Sequence, residues 1–403
     1  MSTSIDNVLT IDVEDYFQVH AFSSVINPAD WDNYESRVEG NTYRILEMLS
    51  NPDASNRSSG PTKRTEDNVQ IVQSSTEANS LEHSNVSNGS SNSIKATFFI
   101  LGWIAERYPG LVRDIAAQGH EVASHGYRHE LVSNQRPDEF RADVAKTKKM
   151  LEDITGEEVV GYRASTYSIT RKTLWALKIL AEEGYGYDSS IFPVHHDVYG
   201  FPDAPRFPFK VSLNGRMAND VQTVRSFAAA NSFARSNRSN DSNISNGPYD
   251  SNVPNDSNIS NSPNDSNSSN GPYDSNVFWE FPISTVRLFG QNLPVAGGGY
   301  FRLFPYWLVK RLLGHINRTE QRPFIFYLHP WEFDPEQPKI DNAPLKSRVR
   351  HYLNLDKVEN RFRKLLGDFN FVPIRDLMVS YDERSPISHR LSANIPKLTV
   401  DKL

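Results

Sequence analysis

Residues 94–129 read IKATFFILGWIAERYPGLVRDIAAQGHEVASHGYRH. A branched and aromatic run from Ile94 to Leu101 predicts a buried strand. From Trp103 to Gln118 the apolar side chains Ile104, Leu111 and Ile115 recur on one helical face, and HEVAS from His120 predicts a second strand. Strand, helix and strand at this spacing imply parallel pairing through a right-handed crossover. Working outward, VLTID near Val8, EVVGYR from Glu158 and PFIFYLH from Pro323 predict further buried strands. Asp138 to Ile154 predicts a helix. So does Thr170 to Glu183, which opens at a Thr cap and closes before Gly184. The fold class is α/β, and the alternation alone fits either a barrel or a doubly wound sheet.

The chain has 403 residues, of which 38% are apolar, and 43 basic against 49 acidic side chains leave a net charge of −6. That balance removes the electrostatic case for nucleic acid or an anionic membrane as the main partner. With no cysteine, a thiolate metal site, a cysteine nucleophile and a disulfide framework are all excluded. Any metal must be held by His, Asp or Glu. No apolar run approaches the roughly 20 residues of a membrane span, and Met1 to Asn7 lacks a basic, apolar leader, so a soluble, cytoplasmic protein is expected. Two stretches, 51–93 and 231–276, are crowded with Asn, Ser, Asp, Gly and Pro. The second repeats SNGPYDSNV from Ser245 and again from Ser269. Both predict low-complexity surface insertions with too little apolar area to offset ordering entropy. Without them about 310 residues remain, which suits one large unit.

The ionisable residues gather at predicted strand ends, where α/β proteins build active sites. Asp12, Glu14 and Asp15 close the first strand, His125 and His129 follow HEVAS, Arg163 ends EVVGYR, Asp188 follows another candidate strand in GYGYDSS, and His329 ends FIFYL. His125 and His129, four apart, can project to one side of a helical turn and share a cation. Three carboxylates within DVED repel one another unless a cation or basic partner offsets them. One can serve as third metal ligand and another can take a proton from water, with Arg163 keeping that base ionised. His329 is a candidate general acid, and Asp188 a candidate for holding its imidazole charged. His195 and His196 diverge and read as loop residues. Gly297 to Tyr300 reads as a turn or a close backbone approach to a ligand.

In this order the motifs resemble the polysaccharide deacetylases of the NodB homology type, the family-four carbohydrate esterases. LTIDVED is similar to the family's first motif, SHGYRH to its metal-binding H-S/T-x-x-H motif with Gly126 in the Ser/Thr place, GYRAST to its arginine motif, GYDSS to its fourth and YLH to its last. DVEDYFQVHAF, GYDSSIFP, GGGYFRLFPYWL and FYLHPWEFDPEQP resemble the subgroup associated with exosortase-type exopolysaccharide loci. The resemblance implies a distorted (β/α)7 barrel over residues 1–380, completed by a subgroup-specific part at about 280–380 and followed by a tail, 381–403. It implies a metal-dependent hydrolase that removes N-acetyl groups from the sugars of an exopolysaccharide or its precursor. The cofactor is a divalent metal, Zn foremost, with Co, Mn, Fe or Ni also compatible. The implied roles are Asp12 as general base, His125 and His129 as metal ligands, Arg163 as partner of the base, His329 as general acid and Asp188 as the residue tuning it. A backbone amide near Tyr167 would hold the oxyanion, and Trp331 with Tyr167 would meet the sugar.

Two departures bear on this expectation. The family's adjacent aspartates are spread as D-V-E-D, so the third ligand is Glu14 or Asp15. Strand alternation puts Glu14 on the face of Asp12, while the family's aspartate and the turn after the strand favour Asp15. The proline expected after Arg163 is replaced by Ala164, which predicts a looser arginine loop. Competing readings are a hydrolase of cyclic amides or peptides and an inactive sugar-binding protein of exopolysaccharide assembly.

Overall fold

The computed structural model describes residues 5–52, 93–196, 199–212, 278–381 and 397–399. Apart from residues 51, 52 and 93, the two expected insertions lie outside the described residues. So does the expected tail, apart from 381 and 397–399.

In chain order the strands are β1 (Asp6–Val13), β2 (Thr97–Ile100), β3 (Glu121–Ser124), β4 (Gly161–Tyr162), β5 (Tyr187–Asp188), β6 (Phe209–Ser212), β7 (Phe278–Glu280), β8 (Thr285–Leu288), β9 (Gln291–Pro294), β10 (Ile325–Leu328), β11 (Asn370–Val372) and β12 (Lys397–Thr399), the last pairing with β6. Seven of them run parallel in the order β10-β1-β2-β3-β4-β5-β7. The free edge of β7 is taken by antiparallel β6, and β11 adds to the start of β1. The far edge of β10 is met by irregular chain: the Ile325 amide donates to Ser284 Oγ at 2.8 Å, and the Tyr327 amide to the Ala296 carbonyl at 3.1 Å. The curled sheet is a distorted (β/α)7 barrel whose last side is closed by these connections. Strands buried on both faces need near-continuous apolar sequence, and Val8, Leu9, Ile11 and Val13 of β1 are all wholly buried.

The helices cover the outside of the sheet: α1 (Val38–Ser50), α2 (Gly102–Arg107), α3 (Pro109–Ala117), α4 (Pro137–Thr155), α5 (Trp175–Glu182), α6 (Gly298–Leu303), α7 (Tyr306–Arg318), α8 (Leu345–Tyr352), α9 (Val358–Asp368) and α10 (Ile374–Tyr381). Two expectations need correction. The single helix expected from Trp103 to Gln118 is two, because Pro109 expels Tyr108 from helical geometry to φ −124°, ψ 55°. The helix expected to open at Thr170 begins at Trp175. The Thr170 amide is instead spent on Thr173 Oγ1 at 2.8 Å in a preceding turn. Helix α4 ends as its sequence suggests, with Gly156 at φ +73°.

Gly297 makes the barrel's closure possible. It sits at φ +123°, and a Cβ there would lie 1.9 Å from the Tyr327 carbonyl oxygen. The close approach read from the glycine run is thus to the chain's own strand. Gly297→Ala is expected to destabilise the fold by roughly 2–5 kcal/mol, combining backbone strain with overpacking. Gly367→Ala, on an open face of α9, is expected to stabilise it by up to about 1 kcal/mol. Urea unfolding of the two variants beside the parent checks both signs.

Candidate active site

The site lies at the carboxyl ends of the parallel strands and starts from the alternation of β1. Asp12 and Glu14 project to one side, and both are buried. Arg163, wholly buried at the end of β4, donates from Nη1 to Asp12 Oδ1 at 2.6 Å and to Thr10 Oγ1 at 2.8 Å. It also donates from Nε to the Ser189 carbonyl at 3.0 Å and from Nη2 to Ser189 Oγ at 2.8 Å. The guanidinium is therefore held between β1 and β5.

His125 follows β3. Its Nδ1 pairs with the Arg163 carbonyl at 2.7 Å, which turns Nε2 toward Glu14 and His129. The loop between the two histidines is not a helical turn: Gly126 at φ +71° and His129 at φ +51° fold it back instead. A Cβ at position 126 would press Asp143 Oδ1 at 3.1 Å, a carboxylate that accepts the Tyr127 amide, so the glycine in the Ser/Thr place serves this tight turn. The imidazole rings of His125 and His129 end 5.5 Å apart.

Glu14, His125 and His129 each offer a ligand atom, all within 4.8 Å of one another. The donor set fits a cation. His125 Nε2 and Glu14 Oε2 are buried without a hydrogen-bond partner among the described residues, and Glu14 Oε2 stands 2.8 Å from His129 Nε2 without a directed hydrogen bond. Lone pairs converging in a dry site repel unless a cation or proton sits among them. The electrostatics agree. Burial pushes the Glu14 carboxyl up, but the imidazoles of His129 and His329 outweigh it and hold the group well below the usual carboxylate range. Burial drives His125 down to about 4, so this imidazole is neutral and able to ligate.

Asp15, the other carboxylate expected as third ligand, lies outside this cluster. Its Oδ2 accepts from Ser36 Oγ and the Arg37 amide, both at 2.8 Å, and from the Val38 amide at 3.1 Å, while Oδ1 accepts the Tyr16 amide. It thus caps the start of α1 from the opposite face of the strand end.

His329 follows β10, with Nε2 3.4 Å from Glu14 Oε1 and 3.9 Å from Asp12 Oδ2. Its Nδ1 meets Glu332 Oε1 at 2.8 Å, and Glu332 Oε2 accepts Arg302 Nε at 2.7 Å. Arg302 is anchored in turn on the carbonyls of Arg350 and His351. Burial would lower the His329 imidazole, but the charges of Glu14 and Glu332 outweigh it and push it up to about 9. The place beside His329 expected for Asp188 is therefore taken by Glu332. The buried Asp188 carboxyl instead accepts from Ser190 Oγ at 2.5 Å and lies across from Glu280 of β7. Burial raises both carboxyls, Asp188 to about 6.

That Asp188 chain explains the missing proline. Ser190 Oγ accepts the Ala164 amide at 2.7 Å, a donor that proline lacks, and Ala164 keeps φ at −72°, a proline-like angle. The arginine loop is fixed rather than loosened. Thr166 and Tyr167 follow with φ of 55° and 53°, strained values for residues with side chains. The Tyr167 amide is spent on the Ala164 carbonyl at 3.1 Å and is not free for an oxyanion, whereas the buried Tyr167 hydroxyl has no partner among the described residues. Trp331 is no open sugar platform. Its indole stacks between His329 (5.2 Å) and His351 (4.1 Å), and Nε1 donates to Glu14 Oε1 at 3.2 Å.

Residues 90–185, which hold His125, His129 and Arg163, match the polysaccharide deacetylase family model. That stretch is thus similar to the polysaccharide deacetylases. Residues 251–379, which supply β7, β10, Arg302, His329 and Glu332, match a domain of unknown function, DUF3473. A peptidoglycan-N-acetylglucosamine deacetylase of Bacillus cereus is 38% identical over 65 residues, which is 16% of this chain and 24% of that protein. A chitooligosaccharide deacetylase of Azorhizobium caulinodans is 28% identical over 89 residues, which is 22% of this chain and 40% of that protein. The match thus spans less than half of these relatives' own length. A solved Mycobacterium smegmatis structure bearing the polysaccharide deacetylase name is similar over 99% of this chain and 96% of that one, at 14% identity and a TM-score of 0.46. The deacetylase match and the match of unknown function together surround one site.

The carboxylate assignment is open to direct test. Glu14→Gln is expected to weaken Zn²⁺ or Co²⁺ binding at least tenfold by calorimetry. Asp15→Asn is expected to leave metal affinity within twofold and to lower stability by about 1 kcal/mol through the lost cap.

Proposed function

We propose that this protein is a metal-dependent hydrolase that removes N-acetyl groups from sugars. The observation that carries the reading is the convergence of the Glu14, His125 and His129 donors with the Asp12–Arg163 pair and the His329–Glu332 pair, next to a match to the polysaccharide deacetylases.

Glu14, His125 and His129 would hold the cation, with Zn²⁺ the first choice for such a set and Co²⁺, Mn²⁺, Fe²⁺ or Ni²⁺ compatible. When bound, a divalent ion supplies Lewis-acid polarisation of a carbonyl and lowers the pKa of water from 15.7 toward about 7. Asp12, oriented by its ion pair with Arg163, accepts the proton of the attacking water. His329, whose Nδ1 is tied to Glu332, presents Nε2 to the same space and delivers its proton to the departing amine. Each positioned proton transfer contributes about 10²–10⁴ in rate. The Tyr167 hydroxyl, without a partner among the described residues, would donate to the developing oxyanion or to a sugar oxygen. Trp331 contributes by holding Glu14 rather than by meeting sugar, and Asp188 by fixing Ala164.

The finer reading of the substrate, an N-acetylated sugar of an exopolysaccharide or its precursor handled in the cytoplasm, rests on the subgroup resemblance of DVEDYFQVHAF and FYLHPWEFDPEQP. Among the described residues no helix is long and apolar enough to cross a membrane. The reading treats residues 1–380 as one unit, since strands from both matched segments share one sheet.

Acetate release from N-acetylated chito-oligosaccharides by chelated protein, before and after single metals are added back, tests the proposal. Release is expected only with metal. His329→Ala is expected to keep its metal and lose about 10²–10⁴ in kcat, and His125→Ala to lose both metal and turnover. No release with any metal by a folded protein overturns the reading.

A further inference from the structure

Residues 281–319 contain no Asp or Glu, in a chain with 49 acidic residues among 403, while Arg287, Arg302, Lys310, Arg311 and Arg318 fall within them. The net charge of −6 is therefore carried elsewhere, and this stretch is a local exception to it. Arg302 is buried against Glu332, and Lys310 pairs with Asp368. Arg287, Arg311 and Arg318 are exposed and form no ion pair among the described residues.

Large apolar side chains stand in the open on the same stretch. β8 and β9 form a hairpin outside the barrel sheet, joined by Phe289 and Gly290. Both turn residues take positive φ, 49° and 82°, as in the type I′ turn that matches the twist of paired strands. Asn-Gly is the usual pair for such a turn, and a phenylalanine in its first place is strained. Phe289 is nevertheless 96% exposed, so its ring adds nothing to the core. A strained backbone that presents an aromatic ring to solvent points to function rather than to folding. The support beneath the tip is firm. Asn292 Nδ2 donates to the Pro193 carbonyl at 2.7 Å, Arg206 Nε donates to Thr285 Oγ1 at 3.1 Å, and Val286 is buried.

β8 packs against α7, whose Val309, Leu313 and Ile316 are buried. Trp307, Arg311 and Arg318, spaced by four and seven residues, share one stripe on the opposite, exposed side of that helix. Trp307 is 66% exposed. A Cβ on Gly314 would meet Arg318 Nη1 at 2.6 Å, so the guanidinium lies along the stripe over the glycine.

We infer that the β8–β9 tip and the exposed stripe of α7 dock on an anionic lipid bilayer, with Phe289 and Trp307 entering the interface and Arg287, Arg311 and Arg318 meeting lipid phosphates. Exposed aromatic rings beside uncommitted cations, in a run free of carboxylates, are the chemistry of the headgroup boundary. A ring on a convex hairpin tip needs a matching pocket in a protein partner, whereas a fluid bilayer closes around such a knob without one. The inference is independent of the deacetylase reading. It adds a place of work to the protein and needs no membrane-spanning helix.

Sedimentation of the full chain with vesicles of phosphatidylcholine, with and without phosphatidylglycerol, tests it. The parent is expected to pellet with the anionic vesicles, at least tenfold more tightly than with the neutral ones, and to be released as salt is raised. Phe289→Asn and Trp307→Ser are each expected to weaken anionic-vesicle binding at least threefold, and Arg287→Glu combined with Arg311→Glu at least tenfold. Phe289→Asn also relieves the turn, so its thermal unfolding midpoint is expected to equal or exceed that of the parent. Lost binding in that variant with an unlowered midpoint therefore separates docking from a structural role. A parent that ignores anionic vesicles, or that binds neutral ones equally well, overturns the inference. So does parental affinity in any of the variants, or a lowered midpoint in Phe289→Asn.

Discussion

A guanidinium with no access to water is affordable only when every face of it is met, and Arg163 is the constraint on which this site depends. Its donors reach Thr10 and Asp12 on β1 and both the carbonyl and hydroxyl of Ser189 after β5. Its guanidinium carbon lies 4.1 Å from the centroid of the Phe99 ring of β2. Removing one partner of a buried ion pair costs about 3–5 kcal/mol because the other charge is stranded. The same residue's carbonyl fixes His125 Nδ1. One side chain and its own peptide group therefore set both the candidate base and a candidate metal ligand. The two halves of the site cannot drift apart without breaking buried hydrogen bonds.

A second chain of contacts, drawn from the segment of unknown function, does the same for His329. Glu332 and Arg302 pass its orientation back to the carbonyls at the end of α8, and the His329–Trp331–His351 stack carries Trp331 Nε1 onto Glu14. Neither matched segment makes the site alone. Residues 90–185 bring the histidine pair and the arginine, and residues 251–379 bring the candidate acid and its support.

Much of this was legible in the chain. Strand periodicity placed Asp12 and Glu14 on one face, and the positions of His125, Arg163 and His329 at strand ends put them at one rim. The failures have physical causes. Asp15 was favoured by the family's aspartate and the turn after the strand, whereas its Oδ2 accepts from Ser36, Arg37 and Val38, more than 20 residues away, which no local pattern reveals. Apolar periodicity ran through Tyr108 although Pro109 already forbade a continuous helix. Glu332 was readable, three residues after His329 and reaching back to it across a single turn. Arg302, 30 residues from Glu332, was not. Asp188 looked like a tuning residue because it ends a strand, yet it serves Ala164, whose amide exists only because proline is absent.

In the proposed reading Glu14, and not Asp15, joins His125 and His129 around a metal ion. Anomalous scattering from crystals of the Zn²⁺-loaded protein, collected above and below the metal's absorption edge, tests it most directly. One strong peak is expected, coordinated by Glu14, His125 and His129, with Asp15 still on the amides of Arg37 and Val38. A peak coordinated by Asp15, or no peak between the two histidines at full metal loading, would contradict it.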